Sequence, residues 1–384
     1  MTKPRIGVIG GGQLAWMMGL EAPKLGIEIV VQTPKITDPA IATAADYVLA
    51  PITDVAGTQT LSDRCDVLTF ENEFVDLPAL QPLESAGVTF RPRLNALAPL
   101  LDKYTQRQFF AAHNLPNPPF VTLDETDEDA AVAAIAAPIG FPLMMKTRRL
   151  GYDGQGTFLI NSAHELLQTW QQIERQAVLL EAFIPFDKEL AVMVARSTTG
   201  EIAVYPVVET QQVDQVCRRV IAPAAVSVTV RQQVTAIART LAEKLDFVGV
   251  LGIEFFLAPG EQVLINEVAP RTHNSGHYTL DAAQTSQFAQ QLLAVTGQAL
   301  GSPAMTCDRA LMVNLLGFET ANHDYGDVRA ELSQKPNLHV HWYGKQQSRP
   351  GRKLGHVTAC LTATEDWSQI ASAIEAIWYP SYES

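Results

Sequence analysis

Two glutamates near the middle of the chain, Glu254 and Glu267, lie on either side of a Pro259-Gly260 turn within apolar runs. Counting outward from the turn of a hairpin places the two side chains nearly opposite each other. Facing carboxylates among apolar neighbours repel, and a divalent cation removes that cost. Because Mg²⁺ typically binds one or two carboxylates together with nucleotide phosphates, we interpret the pair as a Mg²⁺ site beside Asn266. An edge hairpin with both acids in solvent is the alternative.

Lys146 ends an apolar strand and precedes a glycine-bearing loop, residues 147–156, which leads into another strand. This order is typical of a flap, whereas a P-loop leads into a helix. A lysine at this point can reach nucleotide phosphates while the flap amides cover them. The alternative is an ordinary lysine at the end of a strand.

Three consecutive glycines, residues 10–12, separate the first strand from a helix that begins at Gln13. Glycines at such a turn let a phosphate approach the free N–H groups of the helix. Binding of a nicotinamide dinucleotide would also need an acid at the end of the second strand, where the chain has Gln32 and Thr33. We therefore expect a phosphate of another kind, with a purely structural turn as the alternative.

A segment rich in hydrogen-bond donors, residues 271–278, follows the second glutamate strand and contains Arg271, His273, Asn274 and His277. Zinc binding by the two histidines is disfavoured, because the glycine between them and the proline before the segment indicate a loop rather than a helix. We expect these side chains to contact substrate.

The charge of the chain is unevenly distributed. Its 28 basic and 41 acidic side chains give a net charge of −13, which argues against nucleic acid or an anionic membrane as a partner. Residues 332–364, however, contain no Asp or Glu and include Lys345, Arg349, Arg352 and Lys353. Four cations in one loop favour a clamp for a small phosphate over a solvated turn.

The elements that must position these residues suggest several domains. With 384 residues and 47% apolar composition, the chain is long enough for two or three domains. A parallel sheet is predicted from strands at 5–9, 27–31, 65–70 and 88–90. Beyond a helix at 101–113 and a proline-rich break at 115–119, helices alternate with antiparallel strands, and short strands follow from 310.

Cysteine usage and hydropathy indicate a cytoplasmic protein. The four cysteines are widely spaced without a CxxC pair, which argues against a disulfide framework and the common zinc ribbons. The longest uncharged apolar stretch, residues 130–145, is shorter than the ~20 residues of a membrane-spanning helix. The first residues lack the apolar region of a signal peptide.

Together these motifs resemble the ATP-grasp superfamily and, within it, the carboxyaminoimidazole ribonucleotide synthetases. The similarity spans almost the whole chain, in order. Its motifs are GGGQLA (10–15), ENEF (71–74), KTRRLGYDGQG (146–156), EAFIPFDKE (181–189), GVLGIEFF (249–256), NEVAPRTHNSGHYT (266–279), HWYGK (341–345) and RPGRKLGH (349–356). The motifs NEVAPRTHNSGHYT, HWYGK and RPGRKLGH are the most specific to this family.

The resemblance implies an α/β and α+β multidomain fold. An N-terminal parallel-sheet (pre-ATP-grasp) domain would cover residues 1–97. A two-part ATP-grasp domain would follow, with a linker helix and small subdomain at 98–182 and a large subdomain carrying the metal hairpin at 183–300. A small β-rich C-terminal domain would cover 301–384. Family members commonly form homodimers, so a homodimer is expected.

The implied reaction is the ATP-dependent carboxylation of aminoimidazole ribonucleotide by bicarbonate through carboxyphosphate, with Mg²⁺. The residues that would surround the reacting groups are Tyr152, Asp153, Arg271, His273 and Lys353. Those that would bind ATP are Lys103, Lys146, Gly151, Gly154, Gln155, Gly156, Glu181, Ala182, Phe183, Ile184, Glu189, Asn266 and Glu267. Those that would bind the ribonucleotide are Gln13, Leu14, Glu73, Asn274, Lys345 and Arg352. Glu254 and Glu267 would bind Mg²⁺, and Asp153 is the candidate for the amine proton.

Several positions differ from the family pattern. Ala15 and Trp16 replace a glycine and an arginine, Leu150 replaces the first flap glycine, and Lys103 replaces an arginine. Residues 210–212, Thr-Gln-Gln, stand where an asparagine–histidine pair is usual. The alternatives are another ATP-grasp purine ligase such as the formate-dependent glycinamide ribonucleotide transformylase, a nicotinamide-dependent oxidoreductase, or a non-catalytic nucleotide sensor.

Overall fold

The computed structural model describes residues 3–149 and 156–379. The first part of the chain forms the predicted parallel sheet. Its strands are β1 (Arg5–Ile9), β2 (Glu28–Thr33), β3 (Asp46–Leu49) and β4 (Val67–Phe70). They lie side by side in the order β3-β2-β1-β4. The helices on this sheet are α1 (Gln13–Glu21), α2 (Val55–Ser62) and α3 (Leu77–Ser85).

Two details of this sheet differ from the prediction. The expected strand at 88–90 is reduced to a single parallel bridge between Leu68 and Phe90. The edge strand β3 was not predicted, because Tyr47 and Leu49 on it are exposed and it lacks the buried apolar run of its neighbours.

A short helix α4 (Leu94–Leu97) and the linker helix α5 (Lys103–Ala112) lead to a second, antiparallel sheet. Its strands, in the order β5-β8-β6-β7, are β5 (Phe120–Leu123), β8 (Val178–Ala182), β6 (Leu143–Thr147) and β7 (Thr157–Ile160). The helices α6 (Val132–Ala136) and α7 (Ala163–Gln172) cover it. The buried Trp170 lies in the core between these helices and the sheet.

The remaining strands form one continuous sheet in the order β14-β13-β9-β11-β12-β15-β17-β16, with β10 paired to β9. Its strands are β9 (Lys188–Arg196), β10 (Ile202–Val204), β11 (Val208–Val213), β12 (Val216–Ala222), β13 (Gly249–Ala258), β14 (Gln262–Ala269), β15 (Arg309–Leu316), β16 (Leu338–Trp342) and β17 (Lys353–Leu361). The helices along it are α8 (Val228–Lys244), α9 (Thr279–Ala282), α10 (Gln287–Thr296), α11 (Gly326–Ser333) and α12 (Trp367–Trp378).

The C-terminal strands therefore extend the same sheet that carries the glutamate hairpin. Strand β15 pairs antiparallel with β12, from Arg219 opposite Val313 to Ala222 opposite Ala310. Without β15, β12 would be an open edge with unpaired N–H and C=O groups, and the pairing covers that edge.

The N-terminal sheet is held between the other layers by its two apolar faces. One core cluster combines Phe70 and Leu97 with Val192 and Phe255 of the large sheet. The other combines residues of α1 with Phe288 of α10. Within the described residues, no helix is both long and apolar enough to cross a membrane.

Candidate active site

The hairpin of β13 and β14 brings the two glutamates together as the sequence predicts. Glu254 pairs in register with Glu267, whereas the next pair is Phe255 with Ile265, so Asn266 is the extra residue of a β-bulge. A bulge re-aims the side chains next to it. Glu267 and Asn266, the two residues at the bulge, each contact a lysine. Lys103 Nζ lies 2.7 Å from Glu267 Oε1, and Lys146 Nζ donates to Asn266 Oδ1 at 3.2 Å.

The two carboxyl groups have opposite pKa shifts. Burial, with repulsion from Glu267 and Glu189, raises the pKa of Glu254 to about 7. For Glu267, burial acts in the same direction, but the charge and hydrogen bond of Lys103 outweigh it and lower the pKa. Two facing carboxylates and an amide oxygen are ligands that fit Mg²⁺. The raised pKa of Glu254 favours its protonated form, and a bound cation would take the place of that proton.

Lys146 is part of a buried charge cluster. Glu181, at the end of β8, directs Oε1 to the Arg107 guanidinium and Oε2 to Lys146 Nζ, which lies 2.6 Å away. Arg107 also donates to the Asn266 carbonyl, so it joins α5, β8 and the bulge of β14. The two cations outweigh the effect of burial and lower the pKa of Glu181 to about 2. Both oxygens of the Glu181 carboxylate are thus engaged, one by Arg107 and the other by Lys146.

Sequence reasoning missed Arg107. The signal was present, because Arg107 lies four residues after Lys103 and therefore on the same face of α5. Both cations of this face point toward β14, one to Glu267 and one to the Asn266 carbonyl. Arg107 is 2% exposed, and a buried arginine without a carboxylate partner would be very costly.

The segment after β8 forms an exposed apolar margin of the cleft. Ala182 and Ile184 are half-buried, whereas Phe183 and Phe186 are exposed, and Phe186 stacks on Phe256 with ring centres 4.8 Å apart. Glu189, at the start of β9, pairs with Phe256 and Thr210 of the neighbouring strands. Burial raises the pKa of Glu189, and a hydrogen bond from Gln212 opposes the shift.

The predicted flap lies largely outside the described residues. This applies to Gly151, Tyr152, Asp153, Gly154 and Gln155. Gly156 is described: its carbonyl accepts a hydrogen bond from the Thr147 amide at 2.8 Å. Gly156 has a φ of 74°, and a Cβ there would lie 2.3 Å from the Thr147 hydroxyl, so this position requires glycine.

The N–H groups at the glycine turn before α1 bind a side chain of the protein, and phosphate binding at this turn stays a prediction. Glu71 accepts a hydrogen bond from the Leu14 amide at 3.3 Å and another from the Gly12 amide. Burial, only partly offset by these amides, raises the pKa of Glu71. The N–H groups at the start of α1 are therefore engaged by the second motif, ENEF. Gln13, beside them, is half-buried.

Arg271 and Glu73 form a bidentate ion pair across the cleft. Arg271 Nε and Nη2 lie 2.5 and 3.0 Å from the two carboxylate oxygens of Glu73. The charge and hydrogen bond of Glu73 outweigh burial and raise the pKa of Arg271. The resemblance assigns Arg271 to the reacting groups and Glu73 to the ribonucleotide, and here the two side chains neutralise each other.

His273 is neutral in this site. Burial, with the charges of Arg271 and Lys353, lowers its pKa to about 3. Its Nδ1 pairs with the Ser275 hydroxyl at 2.9 Å, and its Nε2 lies 3.7 Å from Glu254. A neutral imidazole at this place can exchange hydrogen bonds but adds no positive charge to the acid pair.

Asn274 is buried and its side-chain amide is engaged. It exchanges two hydrogen bonds, of 2.9 and 2.7 Å, with the amide of Asn314 on β15. This pair fastens the donor-rich segment to the C-terminal strands. The geometry favours a positioning role for Asn274, and its contact with substrate stays a prediction.

The basic loop between β16 and β17 reaches the same site. Lys353 is the first residue of β17 after this loop, and its positive charge opposes the rise in the pKa of Glu254 and helps to lower the pKa of His273. Lys345 Nζ donates to the Lys353 carbonyl at 2.7 Å and lies over the Tyr343 ring. Arg352 donates to the Gln347 carbonyl at 2.6 Å and is half-buried.

A cluster of Asp281, His341 and His356 beneath this loop places one potential ligand atom from each residue within 4.8 Å of the others. The two imidazole rings are stacked, with centres 4.6 Å apart and an angle of 17° between planes. Ring-nitrogen lone pairs lie in the ring planes, so two nearly parallel rings cannot direct them at one ion. His341 is held instead by Asp281, at 2.9 Å.

Comparison with known families agrees with this arrangement. Residues 1–99 match the ribonucleotide synthetase preATP-grasp domain, residues 108–288 the ATP-grasp domain, and residues 310–369 the phosphoribosylaminoimidazole carboxylase C-terminal domain. These matches agree with the parallel-sheet and ATP-grasp architecture expected from the sequence.

Similar proteins are named N5-carboxyaminoimidazole ribonucleotide synthase or phosphoribosylaminoimidazole carboxylase. The chain is 49% identical to N5-carboxyaminoimidazole ribonucleotide synthase of Synechocystis, over 98% of each chain. It is 52% identical to the enzyme of that name in Synechococcus elongatus, over 97% of this chain and 95% of the relative. A solved Aspergillus clavatus N5-carboxyaminoimidazole synthase in complex with ADP and 5-aminoimidazole ribonucleotide matches with a TM-score of 0.88 and 30% identity, over 98% of this chain and 99% of that chain.

Proposed function

The chain belongs to the N5-carboxyaminoimidazole ribonucleotide synthase family, and from this we propose how its residues divide the work of the reaction. It is an ATP-dependent ligase that carboxylates aminoimidazole ribonucleotide in purine biosynthesis. The γ-phosphoryl group of ATP passes to bicarbonate, giving carboxyphosphate and ADP. The exocyclic amine then attacks the carboxyl carbon, phosphate leaves, and the nitrogen loses a proton.

The observation that carries the assignment of roles is the convergence of cations on the acid hairpin. Lys103 and Lys146 contact Glu267 and Asn266 directly, and the charge of Lys353 opposes the rise in the pKa of Glu254. Phosphoryl transfer depends mainly on positioning and on cations near the transferred group. We assign Lys103 and Lys146 to the phosphates of ATP, with Glu181 and Arg107 holding Lys146 in place.

The adenosine would lie against the segment after β8. The exposed Phe183 gives this margin an apolar character that suits a flat base. Because the Glu181 carboxylate is engaged by two cations, residues 181–184 would recognise the base through their main chain. Glu189 would accept hydrogen bonds from the ribose.

Glu254 and Glu267 would hold Mg²⁺, with Asn266 beside them. The bound ion supplies positive charge that neutralises the phosphates during transfer. The support is the fit of this donor set described above.

The ribonucleotide and carboxyphosphate would lie between Arg271 and the basic loop. Arg271 and Lys353 would stabilise the negative charge of carboxyphosphate, and the neutral His273 would orient bicarbonate by hydrogen bonding. Glu73 would be released from Arg271 to contact the ribonucleotide, with Gln13, Leu14, Lys345 and Arg352 around it. The flap, with Tyr152 and Asp153, would exclude water, and Asp153 would take the amine proton.

The alternative of a formate-dependent glycinamide ribonucleotide transformylase is not favoured, because the relatives named above carry the carboxyaminoimidazole name. Two finer statements have family membership as their only support: that the enzyme is a homodimer, and that it works in the cytoplasm. Light scattering of the purified protein tests the first, and fractionation of cells tests the second.

The decisive test is ADP release from ATP with Mg²⁺, bicarbonate and aminoimidazole ribonucleotide. We expect release that requires the ribonucleotide and falls when bicarbonate is removed. Release that needs formate or glycinamide ribonucleotide instead, or no substrate-dependent release, would contradict the function.

A further inference from the structure

One side chain that faces the proposed metal site is that of Lys103. Lys103 Nζ lies 2.7 Å from Glu267 Oε1, and its charge is the largest of the influences that lower the pKa of Glu267. A divalent cation at the acid pair would need the same carboxylate. Lys103 and a metal ion therefore compete for Glu267 in the nucleotide-free enzyme.

Lys103 is held in this place by the start of α5. The preceding residue, Asp102, accepts hydrogen bonds from the Tyr104 and Thr105 amides and forms an ion pair with Arg148. The Lys103 amide donates to the Arg148 carbonyl at 2.9 Å, and its side chain is only 17% exposed. Asp102 and Arg148 thus fix the main chain, so Lys103 starts from a defined position close to Glu267.

The same geometry gives Lys103 a second partner when nucleotide is present. Lys146, assigned above to the phosphates, contacts Asn266, the residue directly before Glu267. Phosphates placed between Lys146 and the acid pair would lie within the reach of Lys103. An ammonium group that turns from Glu267 to a phosphate exchanges one anion for another, and it leaves Glu267 free.

We propose that Lys103 is an internal counter-ion that keeps the Glu254–Glu267 pair closed to a free divalent cation until nucleotide phosphate draws the lysine away. The metal then enters together with nucleotide rather than before it. This inference rests on the metal assignment made under the proposed function, and the experiment separates the two.

The test measures Mn²⁺ binding by the loss of the free-ion signal in electron paramagnetic resonance, with and without ADP. Four variants are compared with wild type: Lys103→Gln, Lys103→Arg, Glu267→Gln and the control Lys244→Gln. Lys244 lies in the last turn of α8 and is exposed, so its variant removes one positive charge at another place. Circular dichroism checks that each variant is folded.

Without ADP, we expect Lys103→Gln to bind Mn²⁺ about tenfold more tightly than wild type, because one neighbouring charge shifts such an equilibrium by about one logarithmic unit. Lys103→Arg and Lys244→Gln should behave like wild type. With ADP, the advantage of Lys103→Gln should disappear.

Two outcomes would overturn the proposal. The first is equal Mn²⁺ affinity of Lys103→Gln and wild type without ADP, including no detectable binding by either protein. The second is a rise in Mn²⁺ affinity in Lys244→Gln as large as that in Lys103→Gln. If Glu267→Gln binds Mn²⁺ in the presence of ADP as tightly as wild type does, the metal assignment itself is wrong. Neither result depends on turnover, so the carboxylation reaction is tested separately.

Discussion

Glu181 divides its carboxylate between Arg107 and Lys146, with one oxygen for each cation, and all three side chains are nearly or fully enclosed by protein. The pairing connects the helix that enters the ATP-grasp region with the strand that carries Lys146, the lysine proposed to bind phosphate. Removal of Glu181 would leave two buried cations without their shared anion, so both cations depend on this carboxylate.

The first prediction concerns stability and its dependence on pH. Glu181→Gln should lower the free energy of unfolding at pH 7 by about 3–5 kcal/mol, because two buried cations lose their anion. The pKa of Glu181 is about 2 in the folded protein and 4.5 ordinarily. Its ionised form therefore stabilises the fold above about pH 4.5, and that stability is lost as the pH falls toward 2.

Urea unfolding at several pH values checks this expectation. The gap between wild type and Glu181→Gln should be widest near neutrality and should narrow below about pH 4.5. Glu243→Gln, which changes an exposed carboxylate on α8, serves as the control and should stay within about 0.5 kcal/mol of wild type. A gap that is the same at pH 7 and pH 4 would contradict the buried ion pair.

The second prediction concerns the metal hairpin. Glu267→Gln should reduce kcat by at least about 10²-fold while the melting temperature stays close to that of wild type, because the neutral amide lacks the negative charge of the carboxylate that would bind Mg²⁺. Glu261→Gln changes an exposed acid at the turn of the same hairpin and should leave kcat unaltered. Steady-state ADP release measures both variants. Normal turnover by Glu267→Gln would exclude Glu267 as a metal ligand.

The third prediction separates the two substrates at the Arg271–Glu73 pair. Glu73→Gln should raise the KM for aminoimidazole ribonucleotide by about tenfold or more and leave the KM for ATP nearly unchanged. The reason is that Glu73 pairs with Arg271, whereas the lysines assigned to ATP, Lys103 and Lys146, contact Glu267 and Asn266. Kinetics with each substrate varied in turn give the answer, and an equal rise in both KM values would speak against a ribonucleotide contact.

The fourth prediction tests the glycine turn. A Cβ on residue 12 would lie 2.3 Å from Glu71 Oε1, so Gly12→Ala should destabilise the protein by about 1–3 kcal/mol. Gly326→Ala is the matched control, because the nearest atom to a Cβ there is 3.5 Å away. Thermal unfolding compares the two variants. Equal melting temperatures would mean that the Glu71 carboxylate is free to move aside.

The predicted parts of the site depend on short-range geometry. The register of Glu254 with Glu267 followed from a turn and from residue counting, and it was confirmed. The place of Lys146 at the end of its strand followed from the apolar run before it, and β6 extends through Lys146 to Thr147. In both cases the spacing of neighbouring residues contains the information.

The parts that were missed depend on partners distant in sequence. The glycine turn looked ready for phosphate, but only the pairing of β1 with β4 brings Glu71 to it. Arg107 was not singled out, because its partner Glu181 lies 74 residues further along the chain. The hairpin of β11 and β12 turns at Asp214 and Gln215, both with positive φ, without the glycine that usually marks such a turn.

The continuous sheet has a consequence for the geometry of catalysis. Five strand spacings separate β13 from β17, which is about 24 Å in a flat sheet. His273 nevertheless lies 3.7 Å from Glu254. The next residue, Asn274, bonds to Asn314 of β15, and Lys353 pairs with Leu316 of that strand. The sheet therefore curls and brings its far strands back toward the acid pair. The separation of the two is therefore set by the twist of β9, β11, β12 and β15. A substitution that flattens β11 or β12 would move Lys353 outward and weaken catalysis without touching any ligand.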